Sequence, residues 1–253
     1  MAGEREESWG KKKKFREGQA EQTLDDLSFI FIDTVAKLKP KCVIMENVEG
    51  LIKGEAWKYV QQIYKQFADT GYKVRHWLLK GEQMGVPQKR HRVFFIAVRN
   101  DIDFDLQRLD MSFNYEPVPY GKIKTKKGDK ITAKSVMELL PYVKYGEICL
   151  HEACVRLKGK KSFFNEMILY DDRPCWTLRV KPSHYRYGTN ESITKEDIIH
   201  AQTFPCDYNF INYSKSNICY ICGMSVPPVM IKRIVTRLIE SGLFKKGTNN
   251  AKK

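Results

Sequence analysis

Two short apolar runs, Cys42-Val-Ile-Met45 and Val93-Phe-Phe-Ile-Ala-Val98, do most to limit what this chain can fold into. Neither alternates apolar with polar residues, so each reads as a strand covered on both faces, the pattern of a sheet flanked by helices. Helical spacing surrounds them. Leu27, Phe29, Phe31, Ile32, Val35 and Leu38 form one stripe, with Asp25 and Asp26 near its N-terminal end and Pro40 as its stop. Trp57, Val60, Ile63, Tyr64 and Phe67 form a second stripe within residues 56–68, closed by Gly71 as a C-cap. Residues 72–79 read as a further strand. Strands separated by helix predict an α/β sheet, at least partly parallel.

The periodicity fades after residue 100. Residues 101–190 have irregular apolar spacing, many turns and basic loops, and predict a second, mainly irregular or β lobe. Regular structure resumes near Thr194, with a helix over residues 195–201 and an amphipathic one over 229–243 built on Met230, Ile231, Ile234, Val235, Leu238 and Ile239. Residues 1–23 are polar and read as loop. A length of 253 residues with 42% apolar content supports one core plus a smaller lobe. The formal charge of +14 creates a field that attracts polyanions, nucleic acid first among them. The lysine runs at 11–14, 122–130, 158–161 and the C-terminus each also read singly as solvated loops or tails. No apolar leader follows Met1, and the longest apolar runs are too short for a bilayer, so a cytoplasmic protein without a membrane partner is expected. Seven irregularly spaced cysteines fit reduced thiols. Cys149, His151 and Cys154 with Cys219 and Cys222 could furnish zinc ligands, but a lone C-x-x-C in an apolar stretch more often packs a core, and no metal is expected.

Three constellations carry candidate chemistry. Glu46-Asn47 lies at the carboxyl end of the first buried strand, where open α/β sheets present ligand-binding groups, or it caps the following turn. In Gly85-Val-Pro-Gln-Lys-Arg-His-Arg92, an extended backbone would project Arg90 and Arg92 to one face, suited to phosphates or a base edge; the alternative is a solvated basic loop. Gln202-Thr-Phe-Pro-Cys-Asp-Tyr208 and Gly223-Met-Ser-Val-Pro-Pro228 alone indicate only a turn before a helix.

Together and in this order, these segments resemble DNA cytosine-5 methyltransferases. Met45-Glu46-Asn47-Val48 is similar to the family's Glu-Asn-Val motif, residues 85–92 to its Gln-x-Arg-x-Arg motif, and residues 196–208 and 223–228 to its last two motifs. The resemblance implies part of a Rossmann-like S-adenosylmethionine-dependent domain over residues 1–100, an inserted target-recognition domain over 101–190, and a return to the catalytic domain over 191–253. It implies that Glu46 stabilises the enamine formed when a thiolate adds to a flipped cytosine, that Asn47 orders the strand end, that Arg92 binds the base near O2, and that Arg90 braces the site. Ser225, Val226 and Leu27 would contact S-adenosylmethionine. Gln88, Arg173, Arg179, Arg186 and Tyr187 are the candidate DNA contacts. Duplex DNA is the implied partner, in a bacterial or phage restriction-modification setting associated with the nucleoid.

Two departures qualify the match. The family's Pro-Cys nucleophile and Gly-rich cofactor loop precede the Glu-Asn-Val segment, and neither is found before Glu46; Cys42, the only cysteine there, lies within the strand. Residues 1–5 resemble the stretch just after the Pro-Cys motif. This chain alone is therefore expected to be silent, an incomplete enzyme or one half of a split one whose complementary N-terminal polypeptide would cover an otherwise exposed apolar sheet edge. Met224 also stands where the family usually has Asn, which removes an amide's hydrogen bonds. The competing readings are a non-catalytic DNA-binding module and, more weakly, an RNA-binding or RNA-modifying protein.

Overall fold

The computed structural model describes residues 27–159, 165–181 and 183–244. The expectations for residues 1–26 and for the C-terminal lysines therefore lie outside the described residues, as does most of the 158–161 lysine run. In chain order the elements are α1 (Leu27–Leu38), β1 (Cys42–Val48), α2 (Trp57–Asp69), β2 (Tyr72–Lys80), β3 (Gln88–Lys89), β4 (His91–Arg99), β5 (Asp129–Lys130), α3 (Lys134–Met137), α4 (Leu150–Lys158), β6 (Met167–Leu169), β7 (Cys175–Trp176), β8 (His184–Arg186), β9 (Glu191–Ser192), α5 (Lys195–Ala201), α6 (Lys215–Met224) and α7 (Pro228–Glu240). They divide into two compact units: residues 27–79, 91–111 and 238–244 form one, and residues 80–90 and 112–237 the other. The chain leaves the first unit after Met111 and re-enters it at Leu238.

In the first unit the sheet has the order β1-β4-β2. Every residue from 93 to 98 on the central strand is fully buried, as its unbroken apolar run predicts. Val93, Phe95 and Ala97 share one face with Val43 and Met45 of β1, and pack with Ile32 and Val35 of α1 and Val60, Ile63 and Phe67 of α2. Each large side chain so buried contributes about 1.5–3 kcal/mol. The Tyr72 hydroxyl donates to the Pro40 carbonyl at 2.6 Å, fastening β2 to the turn that ends α1. β1 and β4 are antiparallel. Only residues 81–90 join β2 to β4, too few for a crossover helix. Among the described residues β1 is an edge of this sheet.

The second unit has a four-stranded sheet of order β5-β9-β8-β6 and the short parallel pair β3-β7. It also holds more helix than its irregular sequence predicts. A capping box between Cys149 and Glu152 starts α4, another between Thr194 and Asp197 starts α5, and Ser214 caps α6. Ile198 and Ala201 of α5 and Ile218, Cys219 and Cys222 of α6 form one core with Tyr120, Leu178 and Ile193. A second core gathers Leu150, Ala153 and Cys154 of α4 with Ile131, Val136, Leu139 and Ile168. The stretch Lys215–Glu240 is long and apolar enough by composition to cross a membrane. It breaks between Met224 and Pro228 into helices of 10 and 13 residues, each short of the ~20 a span needs.

Candidate active site

Strand register brings the first pair of candidates together. Arg92 lies opposite Val48, and Glu46 is two residues earlier on β1, so Glu46 and Arg92 are diagonal neighbours on one face of the sheet. Arg92 Nε meets Glu46 Oε1 at 2.8 Å, with the arginine side chain 15% and the glutamate 30% exposed. Burial pulls the Arg92 pKa below its ordinary value, and the Glu46 carboxylate opposes that pull. The result is a charge-assisted contact at the carboxyl end of β1, partly open to a ligand. Beyond it, Glu49 in the turn after β1 contacts His91 Nδ1 at 3.4 Å and Lys53 at 2.7 Å. The Lys53 hydrogen bond is the main cause holding the Glu49 carboxyl below the usual range.

Asn47 is fixed at both ends of its amide. Its Oδ1 accepts from the Val48 amide at 2.8 Å, and its Nδ2 donates to Ser28 Oγ on α1 at 3.3 Å. Leu27, the first described residue of α1, leaves 45% of its surface exposed.

In the second unit the Gln-x-Arg segment is a buried brace. The backbone reaches it through Gly85, whose φ of +78° ends the preceding turn in the left-handed region that glycine adopts without a Cβ penalty. Gln88 is fully buried; its amide nitrogen donates to the Ala201 carbonyl at 3.1 Å and Gln202 Oε1 at 2.9 Å, and its oxygen accepts from the Leu178 amide at 2.9 Å. Arg90 donates to the carbonyls of Leu178 at 3.3 Å and of Gly223 and Ser225 at 2.8 Å each. Gln202 adds a bond to the same Ser225 carbonyl at 2.8 Å. One lattice therefore ties β3 to the loop after β7 and to the end of α6. Gly223 is required there: a Cβ would stand 2.7 Å from the Arg179 carbonyl carbon. Ser225 Oγ turns back to the Ile221 carbonyl at 2.6 Å, while Val226 is half-buried and Met224 exposed.

The remaining expected DNA contacts separate. Arg186, on β8, is 4% exposed and donates to Asp197 at 2.8 Å, Glu191 at 3.0 Å, Thr125 Oγ1 at 2.9 Å and the Tyr120 hydroxyl at 3.1 Å. Tyr120 also donates to Asp197 at 2.6 Å. Burial would raise the Asp197 pKa, but the bonds from Tyr120 and Arg186 hold it below the ordinary value. Gln88 and Arg186 are thus internal braces where surface contacts were expected. Arg179 is exposed, with one amino group donating to the Asn165 carbonyl at 3.0 Å. Arg173 and Tyr187 fall in a single surface cluster with Tyr145 and Tyr170.

Sequence reasoning gave no role to Ser28, His91, Leu178 or Gln202. Their partners lie far along the chain, up to 114 residues for the Gln88–Gln202 bond; His91 and Gln202 fall inside marked segments, but nothing local assigns them these partners. The cysteines read as alternative zinc ligands are dispersed. Cys149 contacts Glu152 within its own cap, and burial pushes the Cys219 and Cys222 thiols up to about 11 and about 12. Among the described residues no group of three or more His, Cys, Asp or Glu is arranged to hold a metal ion.

Comparison with known proteins follows the same lines. Residues 8–145 match the family described as C-5 cytosine-specific DNA methylase. Type II methyltransferase M.BbvI of Brevibacillus brevis is 28% identical over 80% of this chain and 59% of its own length. Type II methyltransferase M.Sau96I of Staphylococcus aureus is 29% identical over 86% of this chain and 55% of its own. The chain therefore spans little more than half the length of these relatives. Among solved structures, S. frugiperda DNMT2 superposes with a TM-score of 0.57 at 16% identity, covering 90% of this chain and 76% of that one, a likeness of fold.

Proposed function

Since the chain belongs to the family of C-5 cytosine-specific DNA methylases, we propose that it supplies the acid-and-arginine part of a site that methylates C5 of cytosine in duplex DNA. The observation that carries this reading is the Glu46–Arg92 pair at the carboxyl end of β1. Cytosine is a weak electrophile at C6 until charge withdrawn into its ring is stabilised. Glu46 shares a proton with N3 of a base flipped from the stack as that nitrogen grows more basic, and Arg92 faces O2, so that the negative charge arising on thiolate addition meets both groups. Asn47, held by Ser28, keeps the strand end in place for this contact. Arg90 and Gln88 act one step removed, by fixing the 178 and 223–225 loops.

S-adenosylmethionine, when bound, provides an electrophilic methyl group. Of the residues that the family resemblance assigns to it, Leu27 in the first unit has an exposed apolar side chain, and Ser225 and Val226 in the second are half-buried just after α6. Met224 offers no amide there, which predicts weak affinity for the cofactor's polar edge.

The nucleophile is a separate matter. Burial pushes the Cys42 thiol up to about 11, and its place inside β1 suits packing, not attack on a base. Methyl transfer therefore needs a segment carrying the Pro-Cys nucleophile and the Gly-rich loop, in the same polypeptide or a second one, and residues 1–253 alone are silent. The edge position of β1 and the exposed Leu27 and Ile30 of α1 support a surface that such a segment covers. The test is to combine the chain with an N-terminal methylase segment from a relative and follow transfer of labelled methyl to duplex DNA. Activity only in the mixture is expected; activity of the chain alone sinks the split-site reading. The charge of +14 favours the second reading, a DNA-binding module without chemistry, which the same assay supports if binding persists and no mixture methylates.

A further inference from the structure

The geometry points to Arg173 as the residue that reads a guanine in the target sequence, an inference that rests on the proposed action on duplex DNA. The guanidinium is held in place before any DNA arrives. Its Nε and Nη2 each meet a different oxygen of Asp172 at 2.9 Å, and its plane lies over the Tyr170 ring at 4.7 Å and the Tyr145 ring at 5.2 Å. Tyr145 donates to Asp172 at 2.6 Å and accepts from Arg173 Nη2 at 3.0 Å. Tyr187 packs on both tyrosines, with ring centroids 5.5 and 5.0 Å away. Tyr170 is buried and donates to the Glu147 carbonyl at 2.8 Å, and Glu147 is in turn ion-paired with Arg156 of α4. The cluster is therefore rooted in the lobe below while its outer rings, Tyr145 at 61% and Tyr187 at 37% exposure, face solvent.

This arrangement leaves the far end of the guanidinium for a ligand. The two hydrogens on Nη1 have no partner among the described residues, and the exposed Tyr145 hydroxyl can release one on Nη2. Two parallel donors at that spacing match O6 and N7 of guanine in the major groove, and Asp172 Oδ1 retains an acceptor site for the amine of the paired cytosine. A guanidinium clamped by a carboxylate and two aromatic faces loses little side-chain freedom on binding, which favours base reading over loose attraction to phosphate. Arg186 is enclosed in its own buried network, and Arg179 lacks a comparable clamp, so neither competes for the role.

The experiment is selection of duplexes from a randomised library by the full chain, at fixed salt, for the wild type, Arg173→Lys and Arg173→Ala, with melting curves confirming that each variant folds. Wild type should enrich guanine at one position. Both variants should lose that preference by on the order of tenfold, and Arg173→Lys should keep most of its affinity for mixed sequence, because it retains the charge and loses only the planar fork. Retention of the guanine preference by either variant, absence of any preference in the wild type, or a loss spread evenly over all sequences overturns the inference and leaves the proposed function standing. Failure of the wild type to bind duplex DNA at all removes both.

Discussion

His184 makes the second unit sensitive to acid in a defined window. It sits on β8 with 1% of its surface exposed, and neither ring nitrogen has a hydrogen-bond partner among the described residues. Burial, reinforced by the Arg179 charge and only partly offset by the nearby Thr177 and Trp176 backbone, pushes its pKa down to about 4. In the unfolded chain it would titrate near 6.5. Between those values the unfolded state binds the extra proton, so stability is full above pH 6.5 and is lost as pH falls toward 4. At about 1.4 kcal/mol per pH unit the loss approaches ~3 kcal/mol, with roughly 2.5 kcal/mol gone by pH 4.5. His184→Leu removes the titration and keeps an apolar side chain of similar size in the buried site, so its cost near pH 7.5 should be small. The measurement is guanidinium denaturation from pH 7.5 to 4.5 for both proteins. Exchange of the Ile193 amide, which donates to the His184 carbonyl at 3.0 Å, reports the same strand locally. His76, half-buried and also lowered by burial, adds a smaller acid dependence common to both. An equally steep acid limb in His184→Leu would refute the assignment.

Two further predictions concern the same unit. Asp197→Ala leaves the Arg186 charge buried without its closest partner and should cost about 3–5 kcal/mol, read as a lowered denaturation midpoint; a loss under 1 kcal/mol would show that the network carries little stability. Gly223→Ala forces a Cβ against the Arg179 and Val180 backbone and should destabilise by about 1–3 kcal/mol; a neutral change would mean that α6 can shift away from that backbone.

What the sequence made legible follows from how far each signal travels along the chain. β1, α2, β4 and α5 declare themselves through local periodicity or an unbroken apolar run, and their observed limits lie within two or three residues of those expected. α6 escaped because Ile218, Cys219, Ile221 and Cys222 leave it without a clear polar face, and β3, β5, β7 and β9 have only two residues each, too few for any period. The motif pattern marked Glu46 and Arg92, but only the β1/β4 register makes them neighbours. Polarity misled at Gln88 and Arg186. Both look like surface donors in a basic segment, and both are buried because partners on other elements take up the bonds that burial would otherwise strand.

The central claim is that Glu46 performs the acid chemistry of methyl transfer. It is tested most directly by single-turnover methylation of duplex DNA with the chain complemented by an N-terminal methylase segment, comparing wild type with Glu46→Gln. The account predicts DNA binding unchanged within a few fold and a chemical step slower by on the order of 10²-fold or more. A full rate in Glu46→Gln, with binding intact, would contradict it.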